Sequence, residues 1–479
     1  MGIQFNRRSL LGTGAAVSLA AAAQPFMGVP ALAAYAAGPA LRRNAFTMAE
    51  NDPVLVGYRK AITAMKALPE SNPCSWIYQA SIHGAPPGPS YPAWRTCEHG
   101  STYFWSWHRM ELYWFERIIR KYSGMYDWAI PYWDWTNAAQ LQLPPAFRTT
   151  TSALYDASRN AAMNNGSGSL SATVPASTAS GLSLLDFFSA AGSISGTHGG
   201  IHGAISGNMS SVSTAGRDPI FYVHHSQCDR LWNLWLAQGG GRTNPIGDAT
   251  WRNTTFTFFD ECCQQVTMKG CEVLRAAQQL SYAYEEEPAQ VNQYCLLVAF
   301  PWKDWVLVSK VKPFEPVILS REPLTLPLVS REDKALTKQL NDAVRAPAQN
   351  VVLVLTGVEA ESPPGASWEV YVAPAGAKLD AKSPYFVGIV SLFGQGILSE
   401  RHKDHDPVQF VFPLDKAMAA ARAKDLQVTF VPSSGVVVDG RPQPAEVRAN
   451  VTIGDISIAI EAAQPPVPQE ELRRLQEQQ

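Results

Sequence analysis

Hydrophobic periodicity changes character partway along the chain. Up to about residue 315 the apolar positions recur at helical spacing. From Asn51 to about Trp76, Val56, Ile62, Met65 and Leu68 form one apolar stripe, with Pro53 near its start. In WHRMELYWFERIIRKY, opened by His108, Leu112, Phe115, Ile118 and Ile119 make the buried face, while Arg109, Glu111, Glu116 and Arg117 decorate the rest. Its aromatic residues Trp107, Tyr113 and Trp114, with Trp105 just before it, read first as packing. Leu231, Leu234 and Trp235 repeat at helical spacing in HHSQCDRLWNLW, and the stretch from Glu272 to Tyr284 reads as a further helix. Asn164 to Gly181, polar and rich in small residues, reads as a surface loop.

Beyond a proline-punctuated stretch from Pro313 to Pro327, the pattern becomes alternating and β-branched. NVVLVLTGVEA, SWEVYVAPAG, YFVGIVSLFG, VQFVFPL, LQVTFVP, EVRANVTIG and DISIAIE are separated by turn clusters, as the strands of a β-sandwich are. One helix, DKAMAAARAK, interrupts them, and another short one fits REDKALTKQLNDAV. The expected architecture is a mainly α domain over 40–315, a linker over 316–347 and a C-terminal all-β sandwich domain over 348–463. A disordered tail over 464–479 follows.

Composition narrows the partners. The 479 residues suit two or three domains, and a net charge of −2 gives no electrostatic case for nucleic acid or an anionic membrane. Asn6, Arg7, Arg8 and Ser9 precede the apolar run LLGTGAAVSLAAAA and the small residues ALAA. Residues 1–33 therefore read as a twin-arginine signal peptide cleaved near Ala33, which implies a periplasmic or secreted protein. A membrane anchor is the competing reading; the run is shorter than the roughly 20 residues a span requires, and Gln24 and Pro25 interrupt it.

The chemistry is concentrated in histidine. On a helix, His198 and His202 of THGGIH would face one ion together. A third imidazole would come from the adjacent pair His224 and His225. His225 is preferred because Asp229, four residues on, could orient a neighbouring group. Upstream, His83, His99 and His108 form a second set, so six of the nine histidines fall into two groups of three. Neutral imidazoles without clustered carboxylates suit copper better than magnesium or calcium, with zinc as the other candidate.

At these residues the chain resembles the type 3 copper proteins: tyrosinases, catechol oxidases and other polyphenol oxidases, with haemocyanins as relatives. The resemblance rests on SWIYQASIH, CEHGSTYFWSWHR, PYWDW, HGGIH and DPIFYVHHSQCDRLW. It implies that His83, His99 and His108 hold one copper ion, that His198, His202 and His225 hold the other, and that His224 packs beside them. It also implies a four-helix bundle around the copper pair, dioxygen as co-substrate, a small phenolic substrate, and Phe221, Gly199 and Gly203 flanking the ligands or lining the pocket.

Cys97, two residues before His99, resembles the cysteine that forms a thioether with a copper-bound histidine in fungal and molluscan members. Cys74, Cys228, Cys262, Cys263, Cys271 and Cys295 could then make up to three disulfides, with a buried thiol favoured for Cys228. The order of the C-terminal strands, with RHKDH before one of them, resembles the domain that follows the copper domain in plant-type polyphenol oxidases and could cover the site. His402 and His405 in that element read as solvated.

The expected activity is oxidation of o-diphenols to o-quinones. Weaker monophenol hydroxylation is expected, because Gly199 and Ile194 stand where many tyrosinases carry an Asn or Asp and a Glu. An o-aminophenol oxidase and a haemocyanin-like dioxygen-binding protein are the alternatives, and the sequence leaves the oligomeric state open.

Overall fold

The computed structural model describes residues 39–88, 90–100, 102–285, 306–311, 316–329, 333–346, 349–396, 408–421 and 425–462. The expected signal peptide, Cys295, His402, His405 and the 464–479 tail lie outside them. No helix among the described residues is long and apolar enough to cross a membrane.

The N-terminal part is built from helices α1 (Pro53–Lys66), α2 (Trp76–His83), α3 (Phe104–Ser123), α4 (Thr173–Ser183), α5 (Phe187–Ile205) and α6 (Ile220–Ala237). Their starts follow capping rules: Asp52 accepts from Val54 N ahead of Pro53, Ser75 from Tyr78 N, and Asp186 from Ser189 N. Gly124, at φ +76°, ends α3 in the left-handed conformation that glycine adopts without strain. Helix α3 packs on α1 and α6 and touches α5, so the helices share one core rich in tryptophan.

Several expectations need correction here. The first helix stops at Lys66 and does not continue to Trp76, because Pro69 and Pro73 break it before α2 restarts. The aromatic helix begins at Phe104, so His108 lies one turn inside it. The 164–181 stretch is not a loop: Gly168–Leu170 pairs with Val436–Val438, and α4 starts at Thr173. The 272–284 stretch holds only a short helix at Ala276–Gln279. It ends in β2 (Tyr282–Tyr284), which pairs in parallel with β1 (Ala40–Arg42).

The C-terminal part is a sandwich, as its alternation indicated. One sheet runs in the order Phe386–Val390 (β7), Ser367–Pro374 (β6), Leu426–Ser433 (β9), Leu324–Val329 (β4). The other runs Gln409–Pro413 (β8), Gln349–Thr356 (β5), Asp455–Ala462 (β10), Val306–Val311 (β3). All neighbours are antiparallel. Val370, Val372, Val428 and Phe430 from the first sheet meet Leu353, Leu355, Phe410 and Ile458 from the second in a single buried core. Strands β3 and β4 are edge strands of these sheets, so the proline-punctuated stretch already belongs to the sandwich. Helices α7 (Lys334–Arg345) and α8 (Asp415–Ala421) match the two expected there.

The sandwich sits on α4 and α5. Ser180 Oγ donates to Val387 O at 2.6 Å, and Thr173 Oγ1 to Glu369 Oε1 at 3.2 Å. Glu461 of β10 accepts from the Leu185 and Asp186 amides at 2.9 and 3.0 Å, just ahead of α5. Gly196 is required on α5, since a Cβ there would lie 2.8 Å from the Ile389 carbonyl.

Candidate metal centre

Six histidines from four helices and one loop converge in the helical core. His83 ends α2, His99 stands in the loop before α3, and His108 lies one turn into α3. Their ring centroids are 5.2 to 5.7 Å apart. His198 and His202 project from successive turns of α5, and His225 from α6. His225 Nε2 is 3.3 Å from the Nε2 atoms of both His198 and His202. The two groups adjoin, with the His108 and His225 rings stacked at 4.2 Å.

Hydrogen bonding assigns the protons. The Nδ1 atoms of His83, His108, His198 and His202 face the carbonyls of Val212, Phe104, Ser195 and Met209 at 3.2, 2.7, 3.1 and 2.7 Å. A carbonyl only accepts, so each Nδ1 donates and each Nε2 keeps its lone pair. Nε2 of His83 and of His108 has no hydrogen-bond partner although buried. Burial, reinforced by neighbouring imidazoles, lowers the basicity of His108, His198, His202 and His225 well below that of a free ring, and burial brings His83 to about 3. Neutral imidazoles with converging lone pairs and carbonyl-anchored far sides are the donor set of a bound transition metal. The ligand atoms of His83, His99 and His108 lie within 4.8 Å of one another, as do those of His198, His202, His224 and His225.

The flanking residues divide. Phe221 packs between the groups, its ring 4.7 Å from His83 and 4.3 Å from His225. Cys97 Sγ is 3.5 Å from His99 Nδ1. Gly199 faces the sandwich, where a Cβ would lie 2.7 Å from Ser391 Oγ. Gly203 does not line the pocket: it is exposed, with nothing within 4 Å of a Cβ built there.

Asp229 does not reach an imidazole. Its carboxylate accepts from Arg109 Nε, from Arg42 Nη1 at 3.0 Å, and from the Tyr282 and Tyr284 hydroxyls at 2.6 and 2.5 Å. Burial alone would raise its pKa, but the two guanidiniums and the tyrosine hydroxyls hold it below the usual carboxylate value. The network ties α6 to α3, β1 and β2. It positions the helix that carries His225 rather than the ring itself.

Cys74 and Cys263 form a disulfide, Cys271 is disulfide-bonded as well, and Cys228 is a buried thiol, as favoured. Trp107 packs against His83 and His108, with ring centroids 6.1 and 4.9 Å away.

Phe393 escaped the sequence reading. It follows strand β7 of the sandwich, and its ring stacks on His202 at 3.9 Å with an interplanar angle of 15°. It lies 5.6 Å from both His99 and His198. Gly394 beside it, at φ +73°, has no room for a side chain against the His99 ring.

Family models match the part of the chain that holds these histidines. The family model described as the common central domain of tyrosinase matches residues 73–183 and 172–238, and the polyphenol oxidase middle domain matches 246–294. Residues 73–294 thus resemble tyrosinases and polyphenol oxidases. The chain is 28% identical to a latent, chloroplastic polyphenol oxidase of Prunus armeniaca, over 67% of this chain and 61% of that protein. It is 32% identical to a tyrosinase of a Hahella strain, over 51% of this chain and 62% of that protein. These matches span about three fifths of the relatives' own length. The fold, helical domain and sandwich together, is that of the latent apple tyrosinase structure. That likeness has a TM-score of 0.64 and 23% identity, covering 89% of this chain and 98% of that one.

Proposed function

We propose that this protein is a copper-dependent polyphenol oxidase that oxidises o-diphenols to o-quinones with dioxygen and hydroxylates monophenols more weakly. The observation that carries the reading is the pair of adjoining imidazole groups, buried apart from half-buried His99, with the free Nε2 atoms of His83, His108, His198 and His202 turned inward. In it His83, His99 and His108 hold one copper ion, and His198, His202 and His225 the other. Bound there, the copper pair supplies two-electron exchange between a catechol and dioxygen. The chain's own residues hold and shield it. Carbonyls fix four of the imidazoles, Phe221 fills the space between the groups, and Trp107 helps exclude water.

Weak monophenol activity follows from what flanks the second group. Neither Gly199 nor Ile194 carries a polar atom that could help deprotonate a phenol, whereas a catechol is the more easily oxidised substrate. The 3.5 Å separation of Cys97 Sγ and His99 Nδ1 supports a thioether between these residues. The stack of Phe393 on His202 supports a C-terminal domain that covers the site and leaves the full chain latent. The N-terminal arginine pair supports export by the twin-arginine route.

The test is oxygen uptake by the copper-loaded protein and its Phe393→Ala variant, given a catechol and then a monophenol without primer. Uptake with the catechol, faster in the variant and slower or lagging with the monophenol, is expected. Equal rates on the two phenols would contradict the subclass, and no uptake by either protein would contradict the oxidase reading.

A further inference from the structure

The candidate centre contains one imidazole more than it uses. His224 is fully buried, stacks on His198 at 5.2 Å with an interplanar angle of 5°, and lies 5.0 Å from His202. Its ligand atom falls within 4.8 Å of those of His198, His202 and His225. A fourth imidazole on the second metal would occupy a coordination position that a small ligand needs. Proximity alone does not keep it off.

Its protonation does. Trp135 Nε1 donates to His224 Nδ1 at 3.1 Å. An indole N–H has no acceptor capacity, so Nδ1 must present its lone pair to Trp135. An imidazole whose Nδ1 accepts has only Nε2 left to carry its proton. This is the reverse of His83, His108, His198 and His202, whose Nδ1 atoms are protonated against carbonyls and whose Nε2 atoms are free to bind. Both nitrogens of His224 are thereby taken, one by a hydrogen bond and one by a proton.

The indole is held firmly enough to impose this. Trp135 is fully buried, and its amide donates to Trp133 O at 2.9 Å. Asp134 next to it accepts from Gln227 Nε2 at 2.9 Å and lies 3.7 Å from Arg230. Both partners stand on α6 within two turns of His224, so PYWDW is pinned to the part of the helix that presents this imidazole. We propose that Trp135 is a positioning residue that locks His224 in its Nε2–H tautomer and so keeps a four-imidazole group to three metal ligands. The proposal rests on the metal-site reading above.

Trp135→Phe removes the donor while keeping an aromatic ring in place. Two measurements test the consequence, neither of them an activity. In metal-free protein carrying 15N-histidine, the His224 resonances, assigned by their loss in His224→Gln, should place the proton on Nε2. In Trp135→Phe the Nδ1–H form should appear. In cobalt(II) titrations, Trp135→Phe should weaken the intense visible bands of low-coordinate cobalt. It should also hold one of the two ions on the order of tenfold more tightly against a chelator. In the His224→Gln background, adding Trp135→Phe should change neither.

A proton on Nδ1 of His224 in the wild type overturns the proposal, whether or not the Trp135 variant folds. So does a Trp135→Phe protein whose cobalt spectrum and retention match the wild type, or an effect that persists without His224. Wild-type protein that binds no cobalt overturns the metal-site reading and this inference with it. Binding by the wild type with an unmoved variant overturns this inference alone.

Discussion

His198 and His202 stand on successive turns of one helix and meet His225 from a second, whereas His83, His99 and His108 come from a helix end, a loop and the second turn of another helix. In the second group, helix periodicity alone brings two rings together, and α6 needs only to be held against α5. In the first group, His99 depends on a connection that the helix core does not fix. That connection is restrained piecemeal: Arg95 Nε donates to Ala85 O at 2.9 Å, Cys97 lies beside His99, and the Cys74–Cys263 disulfide anchors the start of α2. One histidine group is thus a product of secondary structure, the other of local cross-links. The sandwich extends the asymmetry: it rests on α5 and, among the described residues, meets the His99 ring through Phe393 and Gly394.

The largest expected effect breaks the second group's support. Asp229→Asn removes the carboxylate paired with buried Arg109 and one of the two that face buried Arg42, which keeps Glu116. It should cost about 3–5 kcal/mol in urea unfolding. A loss below about 1 kcal/mol would mean that the network does not hold α6.

The next concerns the docking of the sandwich on α5. Glu461 is buried against the start of α5, with Asp186 and Arg242 as the charged groups facing it and Asn350 Nδ2 donating at 3.1 Å. Burial, with Asp186 adding to it, raises the docked carboxyl from 4.5 to about 7. A raised docked value favours the protonated form. The contribution is therefore complete below the ordinary value near 4.5 and is lost as pH rises through about 7, at most about 3 kcal/mol. Amide hydrogen exchange along β10 and the start of α5 should be faster at pH 8 than at pH 5, and Glu461→Gln should flatten the difference. Exchange that slows toward pH 8, after correction for the intrinsic rate, would reverse the sign and refute it.

The smallest effect sharpens the contrast between the groups. Cys97→Ser should weaken retention of one copper ion by about tenfold and leave the other unchanged. Equal loss at both sites would dissolve the distinction.

How much could be read beforehand follows the same division. His198, His202 and His225 were legible because a four-residue spacing on a helix is a geometric statement, and the sandwich because alternation with turn clusters has few other solutions. His83, His99 and His108 stood out by residue type and number, but their meeting at one site needed the family resemblance, since nothing in their spacing brings a loop residue to two helices. Asp229 was read at the right distance from His225 but with the wrong partner. Its hydrogen bonds come from residues 42, 109, 282 and 284, contacts that no local pattern announces. Phe393 was invisible for a related reason, being one apolar residue among many in YFVGIVSLFG until tertiary packing brings it onto His202. The nearest signal was the glycine spacing on α5, where Gly196 and Gly199 leave room for another backbone to approach.

Copper titration of the metal-free protein, with bound metal measured in the wild type, His202→Ala and His83→Ala, tests the paired-site reading most directly. Two equivalents in the wild type are predicted, with one tightly held equivalent lost in each variant. A single equivalent in the wild type, or two retained in both variants, would contradict it.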